Sequence, residues 1–141
     1  MPDKRLRIAA AQIMFRRTIP ENLEVIHRFI DDSSKAGCDV LLFPECALTG
    51  YQVDFREIKR PEIERGLKLI AEAARSSRIN VLIGAPTFVR GRRFNSLVVF
   101  DRKGREKFRY NKTHLTPHDA EFFTRGNSLA RRFTQHTSCC S

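Results

Sequence analysis

Short apolar runs alternate with stretches of helical periodicity through the first part of the chain. Leu6 to Ile13 is compact and apolar, the pattern of a buried strand. Thr18-Ile-Pro-Glu21 then forms a capping box, with Thr18 placed to accept a backbone N–H and Glu21 placed to reach back, which predicts a helix. Leu23, Ile26 and Ile30 give that helix one apolar face, and Gly37 provides its stop. Asp39 to Phe43 is too short for a stable helix and is closed by Pro44, which predicts a central strand. Pro61 opens a second helix with Ile63, Leu67, Ile70, Ala71 and Ala74 on one face, and Ile79 to Gly84 returns as a third buried strand.

This order predicts an α/β layer whose neighbouring strands run largely parallel. The rhythm then changes. Phe88-Val89 and Phe94 to Asp101 flank Arg90-Gly91-Arg92, and Asp101-Arg-Lys-Gly104 separates Leu97 to Phe100 from Glu106 to Tyr110, the pattern of an antiparallel meander. After Lys112 the periodicity fades: His114 to Phe123 reads as an ordered loop with a short turn, Gly126-Asn127 as another turn, and 130–141 as an irregular tail. The predicted fold is one mixed sheet with two main helices, followed by the meander, in one domain over 1–129.

Composition narrows the class. The 141 residues are 41% hydrophobic and 30% charged, enough apolar surface for a packed core. No run approaches the ~20 apolar residues of a membrane span, and the start lacks the long apolar core of a secretory signal, so the chain reads as intracellular and cytoplasmic. Four cysteines without a CxxC pair, two of them adjacent at Cys139 and Cys140, argue against a disulfide framework or a structural zinc site. The net charge of +10 is concentrated: Phe88 to Lys112 holds 9 basic and 2 acidic residues.

Glu45 follows Pro44 at the carboxyl end of a predicted parallel strand, where open α/β sheets place ligand-contacting groups. Flanked by Leu42, Phe43 and Leu48, it is expected to be partly desolvated, which would suit a general base. Taken alone it equally fits a carboxylate capping the next loop. Lys112 ends the basic meander and is followed by His114, His118, Asp119 and Glu121. A buried lysine there would stabilise an oxyanion, whereas a solvated one would be one more surface cation. His114 and His118 have a metal-ligand spacing only on a helix, which Pro117 disfavours, so neither metal nor cofactor is predicted.

Read jointly, these segments say more. Phe43-Pro-Glu-Cys-Ala-Leu-Thr-Gly-Tyr51, Val81-Leu-Ile-Gly84, Phe94-Asn-Ser-Leu97, Tyr110-Asn-Lys-Thr-His-Leu115 and Glu121-Phe-Phe-Thr-Arg-Gly126 together resemble the nitrilase superfamily of carbon-nitrogen hydrolases, over roughly residues 4 to 129. The resemblance implies part of an αββα sandwich, with 1–129 as the amino-terminal part of the hydrolase domain. It implies hydrolysis of a non-peptide amide, or a related nitrile or carbamoyl bond, by a Glu-Lys-Cys triad. Glu45 would be the general base, Lys112 the group that stabilises the tetrahedral oxyanion, and Glu121 a supporting acid. Leu48-Thr-Gly-Tyr51 leans toward amide substrates, and homo-oligomers are a possible assembly.

The nucleophile is where the sequence departs from that pattern. It diverges after Leu129, and Cys139 lies 27 residues after Lys112, nearer than the family pattern allows, in a segment without an apolar strand to position a thiolate. Cys140 shares that difficulty. Cys46 is adjacent to Glu45, and sequence neighbours point apart, so Cys46 and Cys38 read as packing residues. The leading expectation is therefore a truncated, inactive form of a hydrolase. The alternatives are a non-catalytic isoform or pseudoenzyme acting by association, and a basic nucleic-acid binder using Arg90, Arg92, Arg93, Arg102, Lys103, Arg105, Lys107 and Arg109. Part of a sandwich is also expected to leave an inner apolar face open, making the chain aggregation-prone, loosely ordered or partner-dependent.

Overall fold

Thr18 and Glu21 begin the first helix as their types dictate. The Thr18 hydroxyl accepts from the Glu21 N–H, and the Glu21 carboxylate accepts from the Thr18 N–H at 3.0 Å. The computed structural model describes residues 5–129. It contains β1 (Ile8–Ala10), α1 (Ile19–Lys35), β2 (Val40–Leu42), α2 (Arg60–Ser77), β3 (Asn80–Val89), β4 (Arg92–Phe100), β5 (Glu106–Asn111) and α3 (Pro117–Phe122). The tail at 130–141, with Cys139 and Cys140, lies outside the described residues.

The strands form one five-stranded sheet in the order β1-β2-β3-β4-β5. The β1, β2 and β3 pairings are parallel, and β3-β4-β5 is the antiparallel meander. The mixed sheet with two main helices is thus the predicted fold. Between β3 and β4 the turn is only Arg90 and Gly91, both with positive φ (49° and 76°), the primed-turn geometry that suits strand twist. From that turn the register runs without a break from Val89↔Arg92 to Val81↔Phe100.

Period-two alternation sorts the sheet into two faces. Leu41, Val81, Val98 and their neighbours join Ile26 and Ile30 of α1 and Ile63 and Ile70 of α2 in the main core. On the other face a row of apolar residues crosses all five strands: Ala10, Leu42, Leu82, Val99 and Phe108. Leu42 is 39% exposed there, and Ile8 on the same face is 62% exposed. Exposure is confined to the β1–β2 side of this row, since Val99 is buried and Leu82 and Phe108 are half-buried, so an open apolar face of the kind expected is found only there.

Three details differ from the sequence reading. The third strand runs on from Gly84 to Val89, because β2 pairs only as far as Leu82 and Pro86 therefore lies on what is locally an edge. The first strand is shorter than Leu6 to Ile13, since β2 offers it only three partners. The segment after Lys112 contains a helix where a turn was expected. Pro117 occupies its first turn, where the missing N–H costs nothing, and Thr116 caps it. Among the described residues no helix is long and apolar enough to cross a membrane.

Candidate active site

Glu45 stands on a tight elbow just beyond β2. The elbow passes directly over β3 at Gly84, where a Cβ would stand 2.4 Å from the Pro44 carbonyl oxygen and 2.6 Å from the Glu45 Cα. Only glycine permits that approach. Cys46, the next residue, takes a left-handed conformation (φ 53°) uncommon for a residue with a side chain. Gly50 N–H and Thr49 N–H both donate to the Cys46 carbonyl, closing the elbow.

Lys112 arrives from the opposite half of the sheet. Its backbone N–H donates to the Asn95 carbonyl at 2.8 Å, continuing the β4-β5 register, and its carbonyl accepts from Gly126 N–H at 2.9 Å. The side chain then meets two acids. Lys112 Nζ is 2.7 Å from Glu45 Oε1 and 2.8 Å from Asp119 Oδ2. Glu45 and Lys112, 67 positions apart in sequence, are thus brought together.

Asp119 is the group that sequence reasoning passed over. It sits at the third position of α3 and is completely buried. Its Oδ1 accepts from Tyr51 OH at 2.7 Å, and its Oδ2 also accepts from the Thr116 N–H at 3.0 Å. Glu121, the expected supporting acid, is exposed on the same helix and has no hydrogen bond to Lys112. Residues two apart on a helix point about 200° apart, so only one of these acids can face the lysine. The signal for Asp119 was present in Thr116-Pro-His-Asp119, a capping sequence with proline at its first helical position.

The electrostatics follow from these contacts. Burial acts on Asp119 most strongly and in the upward direction, yet its hydrogen bonds from Lys112, Tyr51 and Thr116 together hold its carboxyl well below the usual range. For Lys112, desolvation pulls downward, and the hydrogen bonds and charges of Asp119 and Glu45 outweigh it, so the ammonium is held charged beyond the ordinary lysine range. The expected desolvation of the base is not seen, since the Glu45 side chain is 43% exposed. Tyr51 is pushed up by burial and by its bond to Asp119.

Asn95, on β4, completes the cluster. Its Nδ2 donates a short hydrogen bond to Glu45 Oε1, and its Oδ1 accepts a weak one from Cys46 Sγ at 3.8 Å. Tyr51 and Asn95 both occur in the sequence motifs but carried no role there. Behind the site, Phe55 packs against Tyr51, Phe122 and Phe123, with ring centroids 6.3, 5.5 and 4.7 Å away, and this small cluster backs Asp119.

The cysteines of the described residues are Cys38, half-buried just before β2, and Cys46. Cys46 is fully buried, and burial first, then the charges of Glu45 and Asp119, push its thiol far up. It is expected to resist iodoacetamide in the native protein and to label only on unfolding; peptide mass mapping of native and unfolded samples checks this. His118 packs its ring on Tyr51 and Phe122, while His114 Nδ1 lies 3.2 Å from Thr113 Oγ1. Among the described residues no three His, Cys, Asp or Glu side chains gather as metal ligands would. In the basic meander, Arg102, Arg105 and Arg109 are ion-paired with Asp39, Asp101 and Glu106, and Arg93 lies over the Phe88 ring. A cavity of about 650 Å³ between the amino-terminal ends of α1 and α2 touches none of the clustered site residues.

A family model described as carbon-nitrogen hydrolase matches residues 7–137. The chain is 31% identical to an (R)-stereoselective amidase of Pseudomonas sp over 98 residues, 68% of this chain and 34% of the relative. It is 25% identical to nitrilase homolog 2 of Dictyostelium discoideum over 117 residues, 80% of this chain and 36% of that one. The fold matches a variant of the amidase from Nesterenkonia sp. AN1 that shows Michael addition of acrylamide at the active-site cysteine. That match has a TM-score of 0.86 and 21% identity, covering 94% of this chain and 54% of that one. The chain therefore spans about a third of the length of these curated relatives and about half of the solved amidase.

Proposed function

Because the chain belongs to the carbon-nitrogen hydrolase family, we propose that Glu45, Lys112 and Asp119 form the acid–base part of a site that hydrolyses a small non-peptide amide. The observation supporting this is Lys112 Nζ held between two carboxylates, 2.7 and 2.8 Å away, at the carboxyl end of the parallel strands. Glu45 is the base: it takes the proton of a cysteine thiol, whose electron pair then attacks the amide carbon. Lys112 stabilises the oxyanion that forms. When the C–N bond breaks, Glu45 returns the proton to the departing nitrogen, and the same carboxylate then activates the water that releases the acid from the thioester. Asp119 keeps Lys112 in place and charged.

The nucleophile is not among the described residues. Cys46 is sealed in packing and Cys38 stands before β2, at the end of that strand away from Glu45, so in this reading turnover depends on a thiol outside 5–129. The same observation favours a second reading, a non-catalytic member of the family acting by association. Ammonia release from a short aliphatic amide separates them. If the first reading holds, Glu45→Gln lowers turnover by about 10² to 10⁴ and Lys112→Met by about 10² to 10³. A folded wild-type chain that releases no ammonia supports the second reading.

A further inference from the structure

Asn95 is 3% exposed and uses both ends of its carboxamide within the site. Nδ2–H donates to Glu45 Oε1, while Oδ1 accepts from Cys46 Sγ. The flipped amide would set its oxygen against a carboxylate oxygen, so the site admits only this orientation. Its backbone carbonyl meanwhile accepts from the Lys112 N–H, so one residue holds both the acid and the cation. Glu45 Oε1 thus receives Asn95 Nδ2 and Lys112 Nζ together. Among the described residues no hydrogen bond reaches Glu45 Oε2.

We propose that Asn95 is a positioning residue that assigns different work to the two oxygens of Glu45: with Lys112 it occupies Oε1, and proton transfer falls to Oε2. The proposal rests on the reading of Glu45 as the base. Two donors on one oxygen fix the plane of a carboxylate that would otherwise rotate in its half-exposed setting. In the transfer, the nucleophile's bond to hydrogen breaks, its electron pair stays on the nucleophile, and the proton bonds to Oε2. Lys112 remains on Oε1 throughout and does not compete for that proton.

Asn95→Asp tests this because it keeps the shape and exchanges the donor for an acid. When ionised, the introduced carboxylate opposes Glu45 Oε1, an opposition that Lys112, already shared between Glu45 and Asp119, offsets only in part; when protonated, its O–H can donate as the amide did. The folded protein therefore holds the introduced proton more tightly than the unfolded chain, and stability is lost as pH rises between the two titrations. Thermal melting of Asn95→Asp against wild type should show a deficit that is full at neutral pH and shrinks as pH falls toward about 4. Asn95→Ala, which introduces no titrating group of its own, should keep most of its deficit as pH falls. In ammonia release, Asn95→Asp should lower kcat about 10²-fold at neutral pH with KM little changed, and recover on acidification; Asn95→Ala should not recover. A melting deficit that is constant with pH, or that grows on acidification, overturns the proposal. A wild-type chain without turnover counts against the hydrolase reading alone, since the melting comparison still decides whether Asn95 holds Glu45.

Discussion

Replacing Asp119 with alanine is expected to remove about 3 to 5 kcal/mol of stability, enough to unfold many domains of this size. Asp119 is completely buried and accepts from Lys112 Nζ, Tyr51 OH and the Thr116 N–H. Its loss leaves a phenol without an acceptor, frees the start of α3 and strips the lysine of its buried counter-charge. Asp119→Asn keeps the volume and an acceptor but removes the charge, and it should cost less. The two variants also differ from wild type in acid. The Asp119 carboxyl is held below its ordinary value of 3.8, so the unfolded chain takes up this proton first as pH falls. Its stabilisation is full above that ordinary value and is lost as pH falls through the folded one. Lys112, held above its ordinary 10.5, behaves in mirror image, with stabilisation full below that value and lost at high pH. Melting temperatures between about pH 2 and 5 should therefore fall more steeply in wild type than in Asp119→Asn. Equal slopes would show that Asp119 does not carry this charge.

Gly84→Ala is expected to disable the site without touching any of its side chains. The new methyl group would lie 2.4 Å from the Pro44 oxygen and 2.6 Å from both the Cys46 nitrogen and the Glu45 Cα. All three are backbone atoms, so no rotamer change relieves the clash, and the elbow must move by about 1 Å. Overpacking of this kind costs about 1 to 3 kcal/mol, and a displacement of that size costs about 10²-fold in rate. Gly91→Ala is the control. It meets nothing within 4 Å and carries only the strain of its positive φ, worth about 1 to 2 kcal/mol. Urea melts and ammonia release on the two variants make the comparison. A Gly84→Ala protein with wild-type stability would mean that the elbow does not sit against β3.

Much of this was legible because local chemistry agreed with the fold. Thr18, Glu21, Leu23, Ile26 and Ile30 specify α1 from both its start and its buried face, and the structure follows them. Pro44 and Glu45 at the end of a short apolar run place a carboxylate at the rim of the sheet, and it lies there. The difficulties came where one residue type has two meanings. Proline reads as a helix breaker in the interior, yet Pro117 stands in the first turn, so the sequence of α3 reads as a turn. Pro86 falls where β3 has a neighbour on one side only, so the strand runs on past Gly84. Between Asp119 and Glu121 only the direction of the helix decides, and a spacing of two residues gives no hint of it until the cap is fixed. Asn95 could not have been assigned, since its partners come from two separate segments, the Glu45-Cys46 elbow and the end of β5.

The reverse turn at Arg90 and Gly91 acts as a gauge for chemistry it never touches. Counting from it fixes Asn95 opposite Pro86, and Asn95 in turn fixes Lys112. One residue added there would slide β4 by about 3.4 Å and send its side chains to the wrong side of the sheet. The gap between base and ammonium is thus calibrated at the far tip of a hairpin, and length changes there should be tolerated less well than the exposure of the tip suggests.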